Sequence, residues 1–118
     1  MLLIEYPKCS TCKKAKAFLK DNNISFMDRD IINETPTAEE LRKWKEKFDI
    51  PIKKLFNTSG LKYKELNLKD KLSTMTEDEQ YLLLSSDGML IKRPLLVGND
   101  FMLIGFKEKE WIKLEEIK

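Results

Sequence analysis

Tyr6-Pro7-Lys8-Cys9-Ser10-Thr11-Cys12-Lys13-Lys14 holds both cysteines of the chain, spaced C-x-x-C. Just before it runs Leu2-Leu3-Ile4, a short apolar run that reads as a buried strand. Just after it, Ala15, Phe18 and Leu19 fall on one face of a helix. The two thiols therefore stand where a strand ends and a helix begins. There the free backbone N–H groups and the positive end of the helix dipole favour a thiolate over a thiol. Cys9, the first of the pair, is expected to be the more acidic and more exposed. Cys12 lies one turn on, within reach for a disulfide. On this reading Cys9 attacks and Cys12 resolves. Lys8 and Lys13 add positive charge in sequence, against the plain reading of two solvated lysines. The N–H groups of Ser10 and Thr11 can form an anion-binding loop at the helix start.

Two other readings of the spacing stay open. Structural zinc takes four Cys or His ligands. With two Cys and no His, one chain cannot complete such a site from these ligands, so no metal is expected unless a dimer shares it. The cysteines can also be inert packing residues. What favours redox chemistry is the order strand, C-x-x-C, helix within a βαβ unit.

A chain of 118 residues reads as one domain with its own core. Charged residues make up 36% of it, yet the net charge is only +2. That mixture is a solvated surface, not a nucleic-acid footprint. No apolar run approaches the roughly 20 residues that span a bilayer. The start meets Glu5 after three apolar residues, unlike a secretory signal. A reducing, cytoplasmic compartment and a cycling disulfide are expected, in a monomer. Without histidine, thiolate chemistry supported by Lys and Arg is what remains.

Residues 2–6 are expected to form the first strand, 10–21 the first helix, and 24–28 a second strand, completing a βαβ unit. From Asn33 the pattern turns helical. Thr37 with Glu40, and Thr76 with Glu79, are capping boxes. Pro51 can start a short helix carrying Ile52, Leu55 and Phe56, residues 57–60 form a turn, and 61–72 give one or two short helical pieces. Gly88 suits the left-handed position that ends the helix after Thr76. Residues 34–88 thus read as a helical insertion in a single 1–118 domain. Leu95-Leu96-Val97 and Phe101-Met102-Leu103-Ile104 make a hairpin around Gly98-Asn99-Asp100, and 107–118 a closing helix. Trp44, Trp111 and the methionines are assigned to the core. The order βαβ, helical insertion, ββα is that of an α/β, thioredoxin-like fold with a mixed four-stranded sheet. Pro94, just before the third strand, faces the C-x-x-C loop in that fold, and a cis bond is expected between Arg93 and Pro94.

The chain resembles the ArsC/Spx family, the arsenate-reductase-like branch of the thioredoxin superfamily. The resemblance covers almost the whole chain and is nearest to its small, YusI-like bacterial members. It is carried by the C-x-x-C stretch, by Phe56-Asn57-Thr58-Ser59-Gly60 with Tyr63-Lys64-Glu65-Leu66, by the run from Ser85 through Arg93-Pro94-Leu95, and by Gly105-Phe106-Lys107-Glu108. It implies that Cys9 is the nucleophile and that Arg93, before the cis-proline, contacts an anion beside it. The plain alternative for Arg93 is a surface charge or an ion pair. Asn57 and Pro94 are further candidate substrate contacts, against a plain turn at 57–60.

Two functions follow from the resemblance. One is a thiol–disulfide or arsenate-reductase-like oxidoreductase, with no bound cofactor and with glutathione, glutaredoxin or thioredoxin as electron donor. Its reductases set three arginines around the thiolate. Here only Arg93 matches, the other two positions falling near Asn57 and Phe106. The second is an Spx-type redox-sensing regulator that binds the C-terminal domain of the RNA polymerase α subunit. Such regulators keep a C-x-x-C, and tend to carry an arginine where this chain has Thr58-Ser59-Gly60. A third, a member that only binds, would show an unreactive Cys9.

Overall fold

The apolar run becomes strand β1, Leu2–Glu5, and the segment after Cys9 becomes helix α1, Ser10–Asp21. The computed structural model describes residues 1–116. Its contacts divide the chain into two units: Met1–Asp30 with the chain from Arg93 onward, and Ile31–Lys92.

In the first unit β1 is an inner strand of a mixed sheet with the order β2-β1-β3-β4. It pairs in parallel with β2, Met27–Asp30, and antiparallel with β3, Leu95–Val97, which pairs antiparallel with β4, Met102–Ile104. Leu3 lies opposite Leu96. These two join Ala15 and Leu19 of α1, Ile24, Trp111 and Leu114 in one buried cluster. Phe18 and Phe106 pack edge-on against Trp111, with the Phe106 and Trp111 centroids 5.0 Å apart. The Trp111 indole N–H donates to the Gly105 carbonyl at 3.1 Å. Gly105 sits at φ 74°, which a side chain would resist. The Arg93–Pro94 bond is cis.

The second strand begins three residues later than expected, at Met27 rather than 24. The cause is the end of α1. Asn23 adopts the left-handed conformation at φ 55°. The Ile24 N–H donates back to the Leu19 carbonyl, and the Asn23 N–H to that of Lys20. This closure uses Ile24 as the hydrophobic partner of Leu19, so Ile24 belongs to the helix terminus and the core. The first strand also stops one residue short of Tyr6.

In the second unit both capping boxes form, opening α2, Ala38–Lys47, and α5, Glu77–Ser86. Lys45 pairs with Glu77 and Arg42 with Asp78, joining the two helices. Between them lie a 3-10 turn at Ile52–Leu55, with Pro51 preceding it and Phe56 beyond it, and the short helices α3, Leu61–Glu65, and α4, Leu68–Lys71. Phe56 bridges Ile91 instead of continuing the turn.

Gly88 is not left-handed: Gly105 is the glycine with positive φ. Its smallness serves a close approach, since a Cβ there would lie 2.3 Å from the Ile31 carbonyl oxygen. The Asp87 carboxylate accepts from the Met89 N–H and supplies the helix end. Nor is any methionine fully buried, although Met1 packs against the core cluster. Met27 is 73% exposed on an edge strand, and the other four are half-buried, as is Trp44, whereas Trp111 is fully buried. The closing segment is one helical turn, α6 at Glu108–Trp111, followed by 3-10 turns over Ile112–Glu116. The rest of the expected helix lies outside the described residues.

Leu19 is fully buried, and Leu82 is 64% exposed. Leu19→Ala should therefore cost about 2–5 kcal/mol in urea unfolding, and Leu82→Ala no more than about 0.5 kcal/mol. Equal costs would contradict the burial of the α1 face.

Candidate active site

Cys9 occupies the N-cap of α1, with extended backbone at φ −87° and ψ 124°. Its own N–H donates to the Tyr6 carbonyl at 2.9 Å, and its carbonyl accepts the Lys13 N–H. The loop 6–9 is thereby closed and the sulfur is set at the helix start, half-buried. The thiol closes no capping hydrogen bond, but its ionised form is favoured there. Burial alone would push the Cys9 thiol up. For the ionised sulfur, the pull of the Cys12 N–H and S–H and of the Thr11 N–H, with the charge of Arg93, outweighs that and brings the Cys9 thiol below its ordinary value.

Cys12 meets the opposite environment. It is fully buried on the inner face of α1. Burial, then the neighbouring Cys9 and the charge of Glu5, push its thiol up to about 12, against the opposing pull of the Tyr6 N–H. That N–H, which the end of β1 leaves free, points at the Cys12 sulfur at 3.5 Å. Both cysteines are free thiols in this structure.

Arg93 lies over the Tyr6 ring, 5.6 Å from its centroid. Its Nε and Nη1 are buried and have no hydrogen-bond partner. Buried donors without acceptors are uncommon, and an anion beside Cys9 would satisfy them. Pro94 is buried, and its carbonyl accepts the Gly105 N–H at 2.8 Å. Ser10 and Thr11 are exposed on the first turn of α1, and the side chains of Lys8 and Lys13 are exposed as well. Cys9, Cys12, Arg93, Pro94, Ser10, Thr11 and Lys8 all belong to the first unit, and Asn57 to the second. There the Asn57 N–H donates to the Leu90 carbonyl, and its side-chain oxygen accepts from Ser59. Phe106, near one of the expected arginine positions, is packed against Phe18 and Trp111.

One group near the thiols has no signal in the motif itself. Glu5, at the end of β1, is 2% exposed. Lys16 of α1 pairs with it at 2.9 Å and with Asp28 of β2 at 2.7 Å. Burial, foremost, raises the Glu5 carboxyl. The available hints were an acid closing an apolar strand and a lysine four residues after Cys12. Only the folded sheet brings Asp28 to them. Among the described residues, no group of three or more metal-ligating side chains gathers, and no helix is long and apolar enough to cross a membrane.

The model of the ArsC family matches residues 4–114. The chain is 51% identical to the uncharacterized protein YusI of Bacillus subtilis, over 90% of each chain. It is 36% identical to the regulatory protein MgsR of the same organism, over 96% of this chain and 88% of that one. Among solved structures, an ArsC-family-related protein from Bacteroides fragilis superposes with a TM-score of 0.90 at 54% identity, covering 96% of this chain and 95% of the other.

A depressed Cys9 beside a raised Cys12 predicts selective alkylation. At neutral pH, iodoacetamide should modify Cys9 first and leave Cys12 unmodified until the protein is unfolded. The rate should fall as pH drops through the Cys9 pKa and the thiolate is protonated. Arg93→Met removes a cation that favours the thiolate, so the midpoint should move to higher pH. A midpoint that moves down, or prior labelling of Cys12 by peptide mass mapping, would contradict this electrostatic arrangement.

Proposed function

We propose, for a chain that belongs to the ArsC family, that it is a thiol-dependent oxidoreductase working through Cys9 and Cys12. The observation that carries this reading is the split between the two thiols: one favoured as thiolate at a helix N-terminus, the other buried one turn away and held protonated. An attacking sulfur must be ionised and reachable. A resolving sulfur must stay silent until the first has reacted.

In the cycle, the Cys9 thiolate attacks one sulfur of a substrate disulfide; the mixed disulfide forms as the substrate S–S bond breaks and its other sulfur leaves as thiolate. Cys12 then attacks Cys9, releasing the reduced substrate and leaving a Cys9–Cys12 disulfide. A glutathione, glutaredoxin or thioredoxin donor reduces that disulfide in a cytoplasmic setting. The unpaired Nε and Nη1 of Arg93 serve a single anionic group near the sulfur, with N–H groups of the first helical turn at Ser10 and Thr11 as further donors. One guanidinium suits the singly charged, delocalised transition state of thiol–disulfide exchange better than a multiply charged oxyanion such as arsenate. Each charge-assisted contact is worth about 1.5–3 kcal/mol, so an arsenate reductase with one arginine in place of three gives up much of its anion binding.

A second reading is favoured by one observation, the 36% identity with a regulatory protein over nearly the whole chain. In it the same disulfide switches a protein interface, with the RNA polymerase α subunit as partner. Pull-down of the α C-terminal domain by oxidised and by reduced protein separates the two. Redox-dependent capture without reductase turnover would favour the regulator.

The enzyme reading predicts a split between two variants. Cys9→Ser should abolish turnover of a disulfide substrate. Cys12→Ser should retain the first attack and accumulate a mixed disulfide, seen as added mass on the intact protein. Turnover surviving in Cys9→Ser would sink the mechanism.

A further inference from the structure

We propose that Tyr6 is a positioning residue for the anion site: its ring holds the Arg93 guanidinium without accepting its hydrogen bonds, so that the donors stay free for an anionic group on the substrate disulfide. The inference rests on the thiol-dependent reading above and adds to it the residue that sets its arginine.

Tyr6 and Arg93 belong to the same unit, and the sheet brings them together. In the pairing of β1 with β3, Leu2 lies opposite Val97, Leu3 opposite Leu96 and Ile4 opposite Leu95. Two places further along, the same count sets Tyr6 against Arg93. Long side chains of opposite residues meet across a pair of strands. The contact that results puts the Arg93 Cζ 5.6 Å from the Tyr6 ring centroid, within the range of cation–π attraction.

How the arginine is held decides what it can still bind. A carboxylate partner would take the guanidinium N–H groups and neutralise their charge. An aromatic ring attracts the same cation through its quadrupole and takes neither. Here Nε and Nη1 are buried and have no hydrogen-bond partner, although buried donors are nearly always paired. An arginine fixed by a ring and orphaned at its nitrogens is arranged for an anion that comes and goes.

Tyr6 also ties that arginine to the nucleophile. Its carbonyl accepts the Cys9 N–H at 2.9 Å, and its own N–H meets the Cys12 sulfur at 3.5 Å. One residue thus fixes the cysteine loop through its backbone and the guanidinium through its side chain. Lys8 and Lys13, exposed on the same loop and helix, attract anions at a distance but set no geometry. Tyr6 acts through Arg93, so its effect belongs to substrates that carry a negative charge.

Stopped-flow mixing of the reduced full chain with two disulfides reads that effect. Dithiobis(nitrobenzoate) carries a carboxylate on each half, and dithiodipyridine carries none. With either probe Cys9 bonds to one sulfur as the S–S bond breaks, and the other half leaves as an absorbing thiolate or thione. The ratio of the two first-phase rates, anionic over neutral, cancels whatever a substitution does to Cys9 itself. Arg93→Met should lower the ratio roughly 10-fold, the scale of one charge-assisted hydrogen bond. Tyr6→Leu should lower it roughly 5-fold, the scale of a cation–π contact, and Tyr6→Phe, which keeps the ring, should restore it. Adding Tyr6→Leu to Arg93→Met should lower it no further. A ratio unmoved in Arg93→Met or in Tyr6→Leu, or lowered again in the double variant, overturns the proposal. Should Tyr6→Leu not fold, para-cyanophenylalanine in place of Tyr6 keeps the shape and weakens the π face. The ratio should fall there too, and an unmoved ratio overturns the proposal by itself. If Cys9 attacks neither disulfide, the thiol-dependent reading fails, an outcome distinct from a ratio indifferent to Tyr6.

Discussion

Two sulfurs one helical turn apart meet two different media, and the chemistry of this chain depends on that difference. At the N-cap of α1, Cys9 faces backbone N–H groups that have no partner within the helix, and the Arg93 guanidinium adds to them. One turn deeper, Cys12 is surrounded by core and by the negative charge of Glu5. The same helix therefore stabilises negative charge on one sulfur and opposes it on the other. The chain before the helix fixes this geometry: β1 ends at Glu5, and the freed Tyr6 N–H turns to Cys12 while its carbonyl takes the Cys9 N–H.

The scaffold keeps α1 from shifting against β1. Leu19, Ala15 and Leu3 are packed with Trp111 and Leu114 from the end of the described chain. The closure at Asn23 ties the far end of α1 into the same core through Ile24. The ion pairs of Lys16 with Glu5 and Asp28 add a polar link from α1 to β1 and to β2. A buried ion pair contributes little net stability against its desolvation.

The sequence made some of this legible and hid the rest for identifiable reasons. The limits of α1 followed from local signals, a C-x-x-C after an apolar strand and Asp21-Asn22-Asn23 after an amphipathic run. The capping boxes at Thr37 and Thr76 and the hairpin around Gly98 are also short-range and were readable. The second strand was misplaced because Ile24, apolar and β-branched, belongs to a helix closure that depends on Asn23 taking a left-handed conformation. Gly88 was misread because its constraint, the nearby Ile31 carbonyl, is tertiary. Met27 looked like core because apolar character does not reveal that β2 is an edge strand. Within the candidate site, Cys9, Cys12 and Arg93 announced themselves by motif, whereas Glu5, Lys16 and Asp28 come from three separate elements. No spacing rule joins them.

The central claim is that Cys9 and Cys12 form one reversible redox couple. Titrating the intact protein in a defined thiol–disulfide buffer, with mass spectrometry as the readout, tests it most directly. The account predicts an intramolecular disulfide that forms and reverses, with a potential of roughly −200 to −270 mV, the range of cytosolic oxidoreductases. A protein that instead forms only mixed disulfides on Cys9, with no intramolecular bond at any buffer composition, would contradict it and leave Cys12 without a resolving role.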